Sequence, residues 1–331
     1  MHKLSITVLG RTEFALLAAV LAAAVVFSLS SPYFFSISNF VNLIEAYSVT
    51  TILAAGAFVV LVSGGIDVSF TATASAAQYL AAYLITQLGF PAAPALALAA
   101  ILGVTLGCIN ALLTHYLRVV SIIVTIATSS IYYALFIYFT NAEEIYNLPD
   151  WWSGRVTFLR FATASGVVKI TLPIVVMVAV VLLTYYLMAW TRIGRQIYAL
   201  GGNPEAASRV GVGVLRVQLL AYGYLGFLAA VAGFVQAGRV HQAVPTAMAG
   251  QELNVLAVAI LGGASLVGGI GSVGGVVLAV LFLAMLQNGL NLLGVSSYFF
   301  GVVIGLAILI SVSMTAYAET RGRKRFVARP A

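Results

Sequence analysis

Ten long apolar runs, separated by short polar or glycine- and proline-containing segments, occupy almost the whole chain. Charged residues make up only 8% of its 331 residues, about a third of the fraction usual in a soluble domain. A helix needs about 20 mainly apolar residues to cross a bilayer. The pattern therefore predicts one all-α, polytopic membrane domain over residues 1–331, with about ten spans and with helix breaks at glycine-rich segments. The runs lie at 13–31, 41–62, 68–88, 92–115, 119–140, 167–190, 217–237, 253–267, 274–293 and 298–317.

The basic residues predict how these runs are oriented. An even number of spans places both termini on one side of the membrane, and with the termini inside, twelve of the 16 Lys and Arg residues fall in inner segments. The four on the outside are Arg155, Arg160, Lys169 and Arg239. This bias is what the positive-inside rule describes, so both termini are predicted to be cytoplasmic. Basic inner loops also account for the net charge of +7 without a nucleic-acid partner.

Several functional classes lack the residues that their chemistry requires. The chain has no G-x-x-x-x-G-K-[ST], H-E-x-x-H or G-x-S-x-G motif, which argues against a P-loop nucleotide site and an intramembrane hydrolase. Gly269, Gly271 and Gly274 fit G-x-G-x-x-G, but no Asp or Glu follows at the spacing of a dinucleotide site. Neither the lone Cys108 nor the scattered histidines form a metal-ligand pattern. The sequence therefore predicts neither an enzyme nor a bound cofactor or metal.

The inner segment 192–216 is predicted to contain a short helix at about Pro204 to Val210. Asn203 suits the N-cap and Pro204 the first helical position, while Gly211 suits a left-handed residue after the last turn. Such a short helix is marginal alone in water, so it needs a surface to dock against. Either a groove on another protein receives its small face, formed by Ala206, Ala207 and Val210, or the helix lies on its own bundle. Arg195 and Arg209 are available to acidic residues at the rim of such a groove.

Glycines and polar residues near the apolar runs suggest a solute pathway. Seven glycines between residues 262 and 275 predict either tight helix packing or an interrupted helix. Asp67, beside a glycine pair, either faces a cavity or caps the next helix. Uncharged amides and hydroxyls suit a neutral, hydroxyl-rich solute, although bonds between helices explain them equally well. The candidate pathway residues are Gly64, Gly65, Asp67, Ser69, Asn110, Thr125 and Asn288.

Three segments resemble the signature regions of a known family. They are GAFVVLVSGGIDVS at 56–69, GRQIYALGGNPEAASRVGV at 194–212 and LAVAILGGASLVGGIGSVGG at 256–275. In this order they resemble the permease subunits of bacterial ABC importers for sugars of the ribose, xylose and galactose type, over about residues 40–320. The chain departs from the family pattern at Phe70–Thr71, at Tyr133–Ala134 and at Asn254.

The resemblance implies a multi-pass permease of the bacterial inner membrane that imports a monosaccharide or similar solute. Its implied partners are a second permease copy or a sister permease, a cytoplasmic ATPase that binds ATP and Mg²⁺, and a periplasmic binding protein. The binding protein is expected at the outer segment 141–166 and at Arg155, Arg160 and Arg239. The loop 192–216 is implied to dock into the ATPase through Gly194, Arg195, Gly201, Asn203, Glu205, Ala206, Ala207, Arg209 and Gly211.

Two other transport functions are alternatives at this point. A branched-chain amino-acid permease has a similar plan, although the run Gly-Gly-Ile-Asp-Val-Ser is closer to the sugar branch. An ion-coupled secondary carrier commonly holds carboxylates deep in the membrane. Here Glu45, Asp67 and Glu252 are all predicted near the ends of spans, which disfavours ion coupling.

Overall fold

The computed structural model of the chain describes residues 2–152, 156–163, 166–303, 305, 306 and 309. Within these residues the fold is dominated by helices, as the apolar runs predict. In chain order the helices are α1 (His2–Ser30), α2 (Ile37–Ala46), α3 (Ser48–Val62), α4 (Phe70–Thr86), α5 (Ala92–Leu117), α6 (Ser121–Thr140), α7 (Leu172–Trp190), α8 (Arg192–Gly202), α9 (Pro204–Arg209), α10 (Val214–Val240), α11 (Glu252–Leu261) and α12 (Val273–Leu292). Short 3₁₀ turns lie at Asp150–Trp152 and Ser297–Phe299.

Six helical segments in the described part of the chain are long and apolar enough to cross a membrane: Thr12–Ser30 of α1, α5, α6, α7, α10 and α12. Helices α2 and α3 together make a seventh candidate, bent by 49° at Tyr47. The chain is therefore a multi-pass helical membrane protein, as predicted. The predicted total of about ten spans is not reached within the described residues, and most of the run at 298–317 lies outside them.

Helix α3 forms the centre of the bundle. Every one of its residues except Thr50 is buried, because the helix is apolar on all sides and must be surrounded by other helices. Helices α7, α10, α11 and α12 pack around it. Gly103 of α5 and Gly226 of α10 bring the backbones of those two helices into contact, since a Cβ on either would overlap the carbonyl oxygen of the other.

Two small antiparallel sheets correct the all-α prediction. Strands β1 (Ile145–Tyr146) and β4 (Gln242–Ala243) pair with each other. Strands β2 (Thr157–Thr163) and β3 (Gly166–Thr171) form a hairpin in which Arg160 lies opposite Lys169. Because β3 occupies 166–171, the predicted apolar run at 167–190 is helical only from Leu172.

Contacts between distant segments define two ends of the bundle. Gly64, Gly201 and Gly268 meet at one end, which we call the inner end, and the paired strands β1 and β4 mark the outer end. In this arrangement, segments that the sequence predicts on the same side of the membrane contact one another. The run at 253–267 is not one continuous helix, because α11 has only ten residues and ends at Leu261.

Candidate functional site

Three glycine-containing segments meet at the inner end, and we call this contact the inner junction. It joins Val62–Gly65 after α3, Gly201–Gly202 at the end of α8, and Gly268–Gly269 between α11 and α12. The amide of Gly269 donates to the carbonyl oxygen of Val62 at 2.8 Å. A Cβ on Gly201 would overlap that same oxygen, and a Cβ on Gly268 would lie 2.7 Å from the Cα of Gly64 and 2.9 Å from that of Gly201. Glycine is therefore required for the three backbones to touch.

Left-handed backbone conformations at Gly64, Gly268 and Gly269, with φ of +87°, +93° and +74°, turn the chain at this contact. The hydroxyl of Tyr198 on α8 adds a hydrogen bond of 2.9 Å to the carbonyl oxygen of Gly271. Burial raises the pKa of Tyr198 to about 12, so the phenol remains a donor at physiological pH. The sequence allowed two interpretations of the glycine cluster, tight helix packing or an interrupted helix. In the structure the cluster provides both.

A polar cluster adjoins the inner junction between α3 and α4. Oδ1 of Asp67 accepts hydrogen bonds from the Ser69 amide at 2.7 Å and from the Ser69 hydroxyl at 2.8 Å. The Asn110 amide donates to the Ser69 hydroxyl at 2.6 Å and to Oδ2 of Asp67 at 3.4 Å. All three side chains are at most 3% exposed. A buried carboxylate is tolerated when several donors surround it, as they do here.

Neighbouring helices hold the same loop in place. The Ile66 amide donates to the Ser121 hydroxyl at 2.8 Å, and the Thr125 hydroxyl donates to the Ile66 carbonyl at 3.2 Å. Tyr132 donates to Oδ1 of Asn110 at 3.3 Å. Sequence reasoning did not select Ser121 or Tyr132, because neither belongs to a recognisable motif.

One pathway candidate lies apart from the others. Asn288 on α12 exchanges hydrogen bonds of 2.9 and 3.0 Å with Asn39 on α2. The other six candidates, Gly64, Gly65, Asp67, Ser69, Asn110 and Thr125, gather around the loop between α3 and α4. Asn288 therefore lies apart from these six residues, and its amide joins α2 to α12.

The inner loop contains two consecutive helices with different surroundings. Helix α8 buries Gly194, Ile197, Leu200 and Gly201, one stripe at helical spacing. Its N-cap Thr191 accepts a hydrogen bond from the Gly194 amide at 3.1 Å. A Cβ on Gly194 would overlap the last carbonyl oxygens of α7, so this glycine is required for packing.

Helix α9 confirms the predicted capped helix. The side-chain oxygen of Asn203 accepts a hydrogen bond from the Ala206 amide at 3.0 Å. Gly211 has a φ of +86°, and the Val212 amide donates to the Ala207 carbonyl at 3.0 Å, as in a Schellman motif. Glu205 and Arg209 are 3.8 Å apart and more than 80% exposed, so their ion pair contributes little stability.

Ala207 corrects the predicted docking face of α9. Its side chain is only 3% exposed within this chain, because α9 packs on α8 and on the start of α10. The interpretation that Ala207 faces another protein is therefore wrong. Ala206 is exposed and Val210 is 79% exposed, so this pair, four residues apart, is the apolar surface that remains open. Arg195, Asn203, Glu205, Arg209 and Gly211 are exposed as well.

The outer end also differs from its predicted form. Trp152 is 1% exposed, stacks on Phe234 and donates its indole N–H to the Phe234 carbonyl at 2.9 Å. Arg239 is half-buried and donates to the Ala46 carbonyl at 3.1 Å, at the bend between α2 and α3. Arg239 is therefore not a freely exposed outer cation. Arg160 is exposed on β2, and Arg155 lies outside the described residues.

No group of three or more His, Cys, Asp or Glu side chains that could hold a metal ion occurs in the part of the chain that the structure describes.

Comparisons with known proteins agree along nearly the full length. The family described as branched-chain amino acid transport system / permease component matches residues 39–312. The chain is 33% identical over 296 residues to the ribose import permease protein RbsC of Escherichia coli K12, covering 89% of this chain and 91% of the relative. For RbsC of Bacillus subtilis 168 the identity is 36% over 292 residues, with 87% and 88% covered. The D-allose transport system permease protein AlsC of Escherichia coli K12 is 32% identical over 287 residues, with 87% and 86% covered. No solved structure matches.

Proposed function

Because this chain belongs to the branched-chain amino acid transport system permease family, we propose that it is the membrane-spanning subunit of an ATP-driven importer for a monosaccharide. The observation that carries the proposal is the match to ribose and allose permeases over nearly nine-tenths of the chain. Its relatives are permease components, so the chain is a transport subunit and not an enzyme. Under this proposal a separate ATPase subunit binds ATP and Mg²⁺ and hydrolyses the nucleotide.

The coupling surface is proposed to be the exposed side of α9. This helix is capped at both ends by its own residues, yet it leaves Ala206 and Val210 uncovered. Small apolar side chains flanked by Glu205 and Arg209 suit a groove with a polar rim on the ATPase. Gly194 and Gly201 then serve the loop indirectly, because they fix α8 against the bundle and α9 follows α8 in the chain.

The solute is proposed to cross at the interface between this permease and a second copy or a sister permease. The polar cluster around Asp67 supports a role of the α3–α4 loop in that passage, since it places hydrogen-bonding groups beside a helix break. A periplasmic binding protein is proposed to deliver the solute at the outer end, where Arg160 on the β2–β3 hairpin is exposed.

The topology is proposed to be ten spans in the bacterial inner membrane with both termini cytoplasmic. Single cysteines in a Cys108→Ala background test it with a membrane-impermeant maleimide on intact cells. Leu159→Cys, on the exposed hairpin, should be labelled directly, and Ser208→Cys, on exposed α9, should be labelled only after the membrane is permeabilised. Labelling of Ser208→Cys in intact cells would overturn this orientation.

Reconstituted transport tests the function. The permease is co-expressed with the ATPase and the binding protein encoded beside it, and uptake of labelled ribose, allose, galactose and leucine into proteoliposomes is measured. Monosaccharide uptake that requires ATP, the ATPase and the binding protein is expected. Preferential leucine uptake would favour the amino-acid importer, and uptake by the permease alone would favour the secondary carrier.

A further inference from the structure

The segment that precedes α11 enters the bundle from the outer end and runs along α4. The Gln78 side chain donates to the Val244 carbonyl at 3.0 Å, and the Met248 amide donates to the Ser75 hydroxyl at 3.2 Å. The Thr71 hydroxyl donates to Oε1 of Glu252 at 2.5 Å. These contacts follow one face of α4 toward its first turn, so Glu252 lies level with the start of α4. We call residues 244–254, which precede α11 and include its first turn, the entering segment.

The start of α11 therefore lies near the middle of the membrane. At 1.5 Å per residue, the ten residues of α11 extend only about 15 Å, roughly half of the hydrocarbon thickness. Just beyond the C-terminal end of α11, Gly263 lies close to Thr12, where the first apolar span begins. The second half of α4 packs against Ile145 and Leu148 at the outer end. This position differs from the sequence prediction, which put Glu252 near the end of a span.

The entering segment is open on one side despite this depth. Gln251 and Asn254 are exposed, and Leu253 between them is 76% exposed. Residues 244–251 are not helical, and the first turn of α11 has no side-chain cap. Irregular backbone and the free amides of a helix N-terminus are tolerated at this depth only where protein covers them or where they face a water-filled cavity, because lipid offers no hydrogen bonds. The exposed side of the entering segment therefore does not face hydrocarbon.

One buried polar atom close to the segment lacks a hydrogen-bond partner among the described residues. Gln78 is 1% exposed, and its Oε1 accepts no hydrogen bond while its amide N–H is used by Val244. The Tyr133 hydroxyl of α6 lies beside Thr71 and Ser75. An unpaired buried polar group is unfavourable, and a ligand hydroxyl that donates to it removes that cost.

We propose that the entering segment and the facing side of α4 form a solute site in the translocation pathway, lined by Gln251, Asn254, Glu252, Thr71 and Gln78. The ligand class is a neutral, polyhydroxylated solute, because the site offers amide, hydroxyl and carboxylate groups and no cation. This inference deepens the proposed function and depends on it. Asn254 and Gln251 make first contact, and Gln78 becomes available when the helices separate.

Cysteine accessibility tests the site without requiring transport. Asn254→Cys and Leu182→Cys are made in the Cys108→Ala background, in the complex with its ATPase and binding protein in proteoliposomes. A charged, water-soluble thiol reagent should label Asn254→Cys, and saturating ribose, allose or galactose should slow labelling at least threefold. Leu182→Cys is the matched control: it lies on α7, is 61% exposed and should stay unlabelled in lipid.

The contrary outcomes are distinct. If Asn254→Cys is unlabelled, or forms a disulfide with a second copy under mild oxidation, the segment is a permease–permease contact and the site is overturned. Labelling that all three sugars leave unchanged would overturn the ligand class. Failure of the proposed function has a different signature: the Cys108→Ala complex itself would show no ATP-dependent monosaccharide uptake, whatever the labelling at Asn254→Cys.

A functional variant adds an independent test. Asn254→Leu removes the amide at an exposed position and should lower ATP-dependent uptake at least tenfold at saturating binding protein, without changing expression or thermal stability. Leu253→Ala at the neighbouring exposed position should change uptake less than twofold. Equal effects of the two substitutions, or normal uptake by Asn254→Leu, would contradict the assignment.

Discussion

Helices α8 and α9 follow each other in one inner loop, but they are held in place in different ways. Helix α8 buries the side chains of Ile197 and Leu200 and also touches the bundle through backbone, with Gly194 against the end of α7 and Gly201 against Val62. Helix α9 has both ends capped by its own residues, and Ala207 is its buried contact with the rest of the chain. Helix α8 is thus part of the bundle, whereas α9 packs on its surface.

This difference gives the two helices different roles. Helix α8 passes a displacement on to the bundle, and α9 presents side chains to a partner. A backbone-to-backbone contact cannot yield by rotating a side chain, so a displacement of α8 reaches Val62 and Gly268–Gly269 directly. The exposed face of α9 has no such constraint, so its side chains can fit a partner. Substitutions in α8 should therefore damage the permease itself, whereas substitutions on the open face of α9 should damage only its cooperation with the ATPase.

The largest effect is expected at Gly201. In Gly201→Val the new side chain overlaps the Val62 carbonyl and separates the segments of the inner junction. Overpacking of this kind typically costs 1–3 kcal/mol, and contact with backbone places it at about 3 kcal/mol or above. We expect little monodisperse protein in detergent and a clearly lowered Tm.

Gly202→Ala is the matched control for that substitution. Gly202 is the next residue in α8, and a Cβ there meets no atom within 4 Å. Its stability should stay within about 0.5 kcal/mol of the parent protein. If Gly201→Val is as stable as Gly202→Ala, the inner junction is not the rigid contact that distinguishes α8 from α9.

A smaller effect on stability should separate the two sides of α9. Ala207→Glu places a charge where only 3% of the side chain is exposed, so it should displace α9 and make the loop sensitive to limited proteolysis. Val210→Glu, at a side chain that is 79% exposed, should leave proteolysis and Tm unchanged. Val210→Glu should nevertheless lower ATP-driven uptake and co-purification of the ATPase, because it alters the open face.

Ser208→Glu provides the comparison for Val210→Glu. Ser208 is also exposed, but it points away from the face shared by Ala206 and Val210. Normal uptake is expected for Ser208→Glu. Equal loss in both variants would indicate that any negative charge on α9 interferes, and the assignment of Val210 to a docking face would be wrong.

Local signals in the sequence predicted α9 well and its surroundings poorly. The N-cap Asn203, Pro204 and the left-handed Gly211 are short-range features, so their spacing was sufficient. Which side of α9 is buried depends on α8 and α10, which are brought there by the whole bundle. Ala206 and Ala207 are therefore indistinguishable in the sequence, although the first is exposed and the second is buried.

Apolar runs likewise predicted the membrane character but not the depth of each break. The segment at 253–267 is apolar enough for a span, yet α11 begins at Glu252 and ends after ten residues. The hydrogen bonds that Thr71 and Gln78 donate and the one that Ser75 accepts show where the entering segment lies, and they join residues more than 160 positions apart. Thr71, Tyr133 and Asn254, where the chain departs from its family pattern, gather in that one region.

The smallest effect is expected when α9 loses its cap. Asn203→Ala removes the acceptor for the Ala206 amide, which costs about 1 kcal/mol of helix stability. Helix α9 has six residues and is marginal by itself, so it should fray while the bundle keeps its Tm. A cost of about 1 kcal/mol lowers the population of the docked helix roughly fivefold, and uptake should fall by no more than that factor. Hydrogen exchange at the Ala206 amide should quicken in parallel.

Asn203→Asp retains a capping oxygen and should restore both measurements. If Asn203→Asp is as impaired as Asn203→Ala, the Asn203 amide itself contacts the ATPase. Asn203 would then belong to the docking face of α9 and would not serve only as its cap.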